Sequence, residues 1–197
     1  MVKPVIIGFY GKSNSGKTST IIKIIDLLVK KGFKIASIKI SDKEIFLDNS
    51  GKDTYKYAES GSDLVVLSSK TETDFMLKNK LKLSEILEKI KIIDSYDFIL
   101  IEGANDKKTE KIRFGNIKKR ENTIYDYEND FKKLYYLILD KYHKEQYKMN
   151  EVSLKVNGEK IGLSEFPEQF IKNTIIGMIK PLKGVKEIKE IEIKIIN

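Results

Sequence analysis

The stretch Gly11-Lys12-Ser13-Asn14-Ser15-Gly16-Lys17-Thr18 is a complete G-x-x-x-x-G-K-[ST] pattern. Its residue types suit the grip of a polyphosphate anion. Gly11 and Gly16 let the backbone curl close to a phosphate without a Cβ in the way. Successive N–H groups from about Ser13 to Thr18 then point at the anion. A helix opening at Ser19 adds its unpaired N–H groups and the positive end of its dipole. Lys17 supplies a full charge for the β- and γ-phosphates, and the Thr18 hydroxyl is placed to ligate Mg²⁺. The candidate nucleotide contacts are therefore Gly11, Ser13, Asn14, Ser15, Gly16, Lys17, Thr18 and Ser19. A second chemical signal lies at Asp97-Phe98-Ile99-Leu100-Ile101-Glu102-Gly103, an apolar run that ends in a carboxylate and a glycine. At the carboxyl end of a parallel strand beside the loop, Glu102 would hold Mg²⁺ directly or through water.

These residues need a scaffold, and the flanking sequence supplies one. Val5-Ile6-Ile7-Gly8-Phe9 reads as a buried strand. Ser19 to Lys31 reads as a largely buried helix in which Lys23, Asp26 and Lys30 form one narrow wet stripe, closed by Gly32. Lys34 to Ile40 is a second strand, completing a βαβ unit with a parallel sheet. Ser41 to Lys52 is polar and aperiodic and follows that strand on the phosphate side. A short helix begins near Gly51 and stops at Gly61. Leu64-Val65-Val66-Leu67 is a third strand and Asp74-Phe75-Met76-Leu77 a short one. Ser84 is placed to N-cap a helix running to about Ile90. Lys111 to Phe114 makes a further short strand, and Lys118 to Asp130 a charged, exposed segment. Leu134 to Leu139 reads as a last strand, although a short buried helix fits nearly as well. Lys141 to Asn150 reads as a linker.

The predicted fold is thus α/β: a mainly parallel sheet flanked by helices over residues 1–148, followed by a small α+β module over 149–197. In the module, Asn157-Gly158 signals a hairpin. Phe166 to Thr174 makes a helix and Ile188 to Ile196 an alternating strand. So small a unit needs a partner surface to be stable.

Composition narrows the chemistry further. There are no cysteines among the 197 residues, which excludes disulfides, thiol catalysis and Cys-ligated metals. The only histidine, His143, cannot build a multi-histidine site and is expected at the surface. The net charge of +8 comes almost wholly from lysine, Arg113 and Arg120 being the only arginines. No aromatic-basic RNA motif or DNA-reading module accompanies that charge, so nucleic acid is not the expected partner. No apolar run approaches bilayer length; no membrane association and a cytoplasmic location are expected.

Three stretches together resemble a known family: Gly11 to Thr18, then Asp48-Asn49-Ser50-Gly51-Lys52-Asp53-Thr54-Tyr55, then Ile101-Glu102-Gly103. With a second strand ending in Lys39 and the strand entry Gly61-Ser62-Asp63, they resemble the molybdopterin-guanine dinucleotide biosynthesis protein MobB family. The resemblance covers residues 1 to about 140, with the tail as an extension. It implies a GTP-binding P-loop accessory protein of molybdenum or tungsten cofactor maturation. Such a protein assists the guanylyltransferase that joins GMP to molybdopterin, and helps deliver the product to molybdo- and tungsto-enzymes. It also implies a homodimer with weak GTPase activity. Carried over, the magnesium contacts fall on Thr18, Glu102 and Asp53, and the catalytic roles on Lys17 and Asp53. This chain departs from the family after Lys39, where Ile40-Ser41-Asp42 stands in place of a histidine-rich segment.

The residues themselves leave the base open. No N-K-x-D guanine-reading motif is present, and Asn105-Asp106-Lys107-Lys108 is only superficially similar. GTP follows from the resemblance, and ATP fits the loop equally. A small-molecule kinase on the same scaffold is the alternative, weakened by the scarcity of arginines to clamp a transferred phosphoryl group. A regulator that uses GTP only as a switch is a third reading.

Overall fold

A computed structural model describes residues 3–43, 52–149, 152–186, 188 and 190–195. The chain divides into two compact units, Met1–Gln146 and Tyr147–Asn197.

The first unit is built on five parallel strands in the order β2-β5-β1-β6-β7. They are β1 (Val5–Gly11), β2 (Ile35–Lys39), β5 (Phe98–Glu102), β6 (Glu110–Phe114) and β7 (Thr123–Tyr127). The two central strands, β1 and β5, are apolar nearly throughout because both of their faces are covered. Val5, Ile7, Phe9, Phe98 and Leu100 face one side. There α1 (Lys17–Lys30) contributes Ile21, Ile24 and Leu28, and α4 (Phe131–Met149) contributes Leu134, Tyr135, Ile138 and Leu139. Ile99 and Ile101 face the other side, under Leu83, Leu87 and Ile90 of α3 (Leu83–Ile93). The expected mainly parallel sheet between helices is what forms.

The parallel link from β5 to β6 has no helix. Gly103 to Thr109 crosses β1 directly, and the crossing works because position 8 lacks a side chain. A Cβ on Gly8 would stand 2.5 Å from the Ala104 Cβ and 3.3 Å from the Thr109 methyl. Glycine there lets the connection lie flat against the sheet.

Several expectations are corrected. Leu134 to Leu139 is helical, part of α4. Its buried residues recur at the helical spacing of three and four, so the apolar run faces the core on one side only. The same helix continues through the expected linker to Met149. Within the segment expected to be exposed, Thr123-Ile124-Tyr125-Asp126-Tyr127 forms β7, whose β-branched and aromatic residues pair with β6. Ser84 is not the cap of α3: Lys82 is, and the Glu85 carboxylate accepts from the Lys82 N–H at 2.7 Å. Ile22 and Val29 of α1 are more than half exposed, so its wet face is broader than the lysine stripe. Finally, β3 (Leu64–Ser68) and β4 (Thr73–Leu77) do not join the main sheet but pair as a separate antiparallel hairpin beside α2 (Asp53–Glu59).

The second unit holds a hairpin of β8 (Leu154–Val156) and β9 (Glu159–Ile161), then α5 (Glu165–Ile179). Asn157 and Gly158 both take left-handed φ, as a two-residue primed turn requires. The strand expected over Ile188 to Ile196 does not form among the described residues; residues 187, 189 and 196 lie outside them. No helix among the described residues is long and apolar enough to cross a membrane.

Candidate functional site

The carboxyl end of β1 runs straight into the glycine loop, and α1 begins at Lys17. Gly16 caps that helix with φ 81 and provides no side-chain cap. Its left-handed backbone favours glycine, and Asn14 shares it at φ 60. A first turn without a side-chain cap keeps its N–H groups for an external anion. Ser15 closes the turn by donating to the Lys12 carbonyl at 2.8 Å. Lys17 folds back over the loop, its ammonium 3.0 Å from the Gly11 carbonyl, 2.5 Å from that of Lys12 and 3.3 Å from the Ser15 hydroxyl. These acceptors are neutral, so the ionised oxygens of a phosphate compete well for the same donor. Ser13 and Ser19 are exposed at the loop mouth.

Strand pairing brings the second signal to the first. β5 lies parallel to β1, with Phe9 beside Glu102. The Thr18 hydroxyl donates to Glu102, its oxygen 2.9 Å from Oε1 and 3.0 Å from Oε2. On the far side of β5, Lys39 stands level with Glu102, its Nζ 3.8 Å from Oε2. The N–H of Ile40 bonds the Glu102 carbonyl and the N–H of Gly103 bonds that of Phe9, each at 2.8 Å. The ends of β2, β5 and β1 are thereby fixed as one edge. A hydroxyl and a single carboxylate are a donor set suited to Mg²⁺, which takes its remaining ligands from phosphate and water. Among the described residues no group of three or more His, Cys, Asp or Glu residues is disposed to hold a metal by itself.

The other flank of the loop holds both arginines in place. Arg113 donates from Nε to Asp126 and from Nη1 to the Ile117 carbonyl, each at 2.8 Å. Arg120 donates to the Ala104 carbonyl at 2.6 Å and lies over the Tyr10 ring. The buried Tyr10 hydroxyl accepts from the Arg120 N–H at 3.0 Å and lies 2.7 Å from the Thr123 hydroxyl. This network braces the β6–β7 side of the loop.

The structure therefore brings Lys17, Thr18 and Glu102 together. Asp53 opens α2, and the contact described for it is an ion pair with Lys56 at 3.0 Å. The Asp48-to-Gly51 part of its loop lies outside the described residues. Sequence reasoning noted Lys39 only as the end of a strand. Its pairing with Glu102 depends on β2 lying next to β5, a neighbour relation that no local pattern carries.

The comparisons with known proteins agree with this scaffold. The family model described as molybdopterin guanine dinucleotide synthesis protein B, MobB, matches residues 6–139. A putative molybdopterin-guanine dinucleotide biosynthesis adapter protein of Methanocaldococcus jannaschii is 33% identical over 103 residues, 51% of this chain and 41% of that protein. An adapter protein of the same description from Haemophilus influenzae is 29% identical over 108 residues, 54% of this chain and 61% of that protein. The chain thus spans less than two thirds of either relative. Among solved structures, Bacillus subtilis MobB superposes with a TM-score of 0.57 at 23% identity, covering 68% of this chain and 96% of that one. A MobB homologue from Bacillus stearothermophilus gives 0.52 at 13% identity, covering 71% and 98%. At these identities the structural likeness is one of fold, and it joins a family match covering most of the chain: this chain belongs to the MobB family.

Proposed function

We propose that this chain is a nucleotide-binding adapter in the biosynthesis of molybdopterin guanine dinucleotide, with GTP as its nucleotide and slow Mg²⁺-dependent hydrolysis as its activity. The observation that carries this reading is the Thr18–Glu102 hydrogen bond beside Lys17, at the carboxyl edge of a parallel sheet. In this reading the loop N–H groups from Ser13 to Thr18 and the Ser19 turn hold the phosphates. Lys17 leaves the carbonyls of Gly11 and Lys12 for the β/γ-oxygens. Thr18 and Glu102 hold Mg²⁺, which would neutralise phosphate charge there. Asp53 answers to the γ-phosphate from the loop that follows β2. Guanine rests on family membership.

The fixed positions of Arg113 and Arg120 argue against a kinase of the kind that clamps the transferred phosphoryl group with several arginines. An adapter acts through partners. A guanylyltransferase acting on molybdopterin and molybdo- or tungsto-apoenzymes are the proposed ones, with a homodimer as the working state and the cytoplasm as its place.

Calorimetry with GTP, ATP, GDP and ADP, each with and without Mg²⁺, tests the reading. Submicromolar GTP binding that strengthens with Mg²⁺ supports it. Binding of none of the four rejects the site, and a preference for ATP rejects the guanine assignment.

A further inference from the structure

We propose that Lys39 is a further γ-phosphate contact of this site, beside Lys17, a cation held in reserve by Glu102 until a triphosphate arrives. The proposal rests on the reading of the glycine loop as a nucleoside triphosphate site and adds a residue to it.

Three observations carry it. The β2–β5 register sets Lys39 directly beside Glu102, at the edge where a nucleotide's terminal phosphate would meet the metal-holding residues. Their separation of 3.8 Å makes a loose ion pair, and the two partners are unequally exposed: the Lys39 side chain is 63% accessible and that of Glu102 18%. At that separation, and with the lysine end in solvent, the pair contributes little to stability. The lysine is free to leave, while the carboxylate is held in place by two hydrogen-bond distances to Thr18. The third observation is one of charge. Terminal phosphoryl oxygens need cations beyond the loop lysine, and in many such enzymes an arginine supplies one. Here Arg113 is engaged by Asp126 and the Ile117 carbonyl, and Arg120 by the Ala104 carbonyl and the Tyr10 ring, on the opposite flank of β1.

The exchange conserves charge locally. Without nucleotide, Lys39 balances Glu102. With a divalent cation held there, the Glu102 charge would be matched by that ion, and the Lys39 ammonium would be released to a non-bridging γ-oxygen. A lysine suits the move because its charge is compact and its stem has four rotatable carbons. A diphosphate presents no oxygen at that position, so Lys39 would distinguish triphosphate from diphosphate.

The test compares the wild-type chain with Lys39→Met and Lys39→Arg, by calorimetry with GTP·Mg²⁺ and GDP·Mg²⁺ and by phosphate release. Lys39→Met is expected to weaken GTP about tenfold, the scale of one charge-assisted contact, and to leave GDP within about twofold. Phosphate release falls in parallel, and Lys39→Arg recovers most of both. Equal weakening of GTP and GDP overturns the proposal, because it would mean that Lys39 only steadies Glu102 and the metal. Unchanged GTP binding in Lys39→Met overturns it as well, while leaving the loop assignment standing. A wild-type chain that binds neither nucleotide overturns both together. Melting curves of the two variants that superimpose on wild type confirm that these changes report on the site.

Discussion

Thr18 and Glu102 are 84 positions apart in sequence, yet the threonine hydroxyl lies almost equally far from the two carboxylate oxygens, at 2.9 and 3.0 Å. The threonine belongs to the first turn of α1 and the glutamate to the last position of β5. A hydroxyl held this way points its proton at the carboxylate and keeps its lone pairs free for a cation. Glu102→Gln is therefore expected to leave metal-free GTP binding within about twofold and to remove the gain that Mg²⁺ confers, about 10- to 100-fold. Titrations in Mg²⁺ and in EDTA measure both. A variant that keeps the full magnesium effect removes Glu102 from the metal site.

Lys17→Ala is expected to abolish tight triphosphate binding, with a loss of about 100-fold or more, since it deletes the full charge that the loop supplies to the β- and γ-phosphates. The fold should persist, because the bonds Lys17 now makes are to its own loop. Calorimetry gives the affinity and circular dichroism the fold. An unchanged dissociation constant would withdraw the site assignment.

Asp53→Ala is expected to slow Mg²⁺-dependent hydrolysis more than it weakens nucleotide binding. The residue opens α2 at the end of the loop that follows β2, and its Lys56 partner is an exposed neighbour of little energetic weight. Parallel measurement of kcat and of GTP affinity decides it. If the two fall equally, or neither falls, Asp53 has no γ-phosphate role.

Gly8→Ala is expected to destabilise the first unit by about 1–3 kcal/mol, because the new methyl meets the Ala104 Cβ at 2.5 Å. The melting temperature should fall by about 2–10 °C. Ala104→Gly in the same chain should recover much of the loss. Failure of that second change to help would place the strain elsewhere than in the β5–β6 crossing.

Asp106 offers a pH prediction. Burial pushes its carboxyl up, but the N–H groups of Thr109 and Lys108 and the Lys111 ammonium outweigh that and hold it below the usual 3.8. Lys111 is itself fully buried, donating to the carbonyls of Thr109 and Glu121. A carboxyl lowered on folding stabilises the native state above its unfolded pKa, and that contribution disappears as pH drops through the lower, folded value. Denaturation followed from pH 5 down to 2 should show stability falling below about pH 4. Asp106→Asn should be less stable at pH 7 and show a flatter acid limb. An identical acid limb in the variant would clear Asp106 of that role.

The division between what the residues determined and what the fold decided follows the range of the interactions. The glycine loop, the strand before it and the helix after it were legible because phosphate-gripping geometry is local: two glycines, a lysine and a helix start lie within a dozen positions. The Asn157-Gly158 turn was legible for the same reason, since left-handed φ is a property of single residues. Glu102 could be suspected as the end of an apolar strand, but its meeting with Thr18 came from β5 lying against β1. Whether Leu134 to Leu139 became strand or helix depended on which side of the run met the sheet, and the sheet is assembled from residues far away in the chain. The same holds for β7, which a charged neighbourhood concealed and pairing with β6 created, and for β3 and β4, whose apolar pattern fits any sheet and which paired with each other. Sequence sets what a segment can bury or ligate. Only the order of strands decides which of those capacities stand side by side, because parallel pairing joins segments whose separation in the chain carries no local trace.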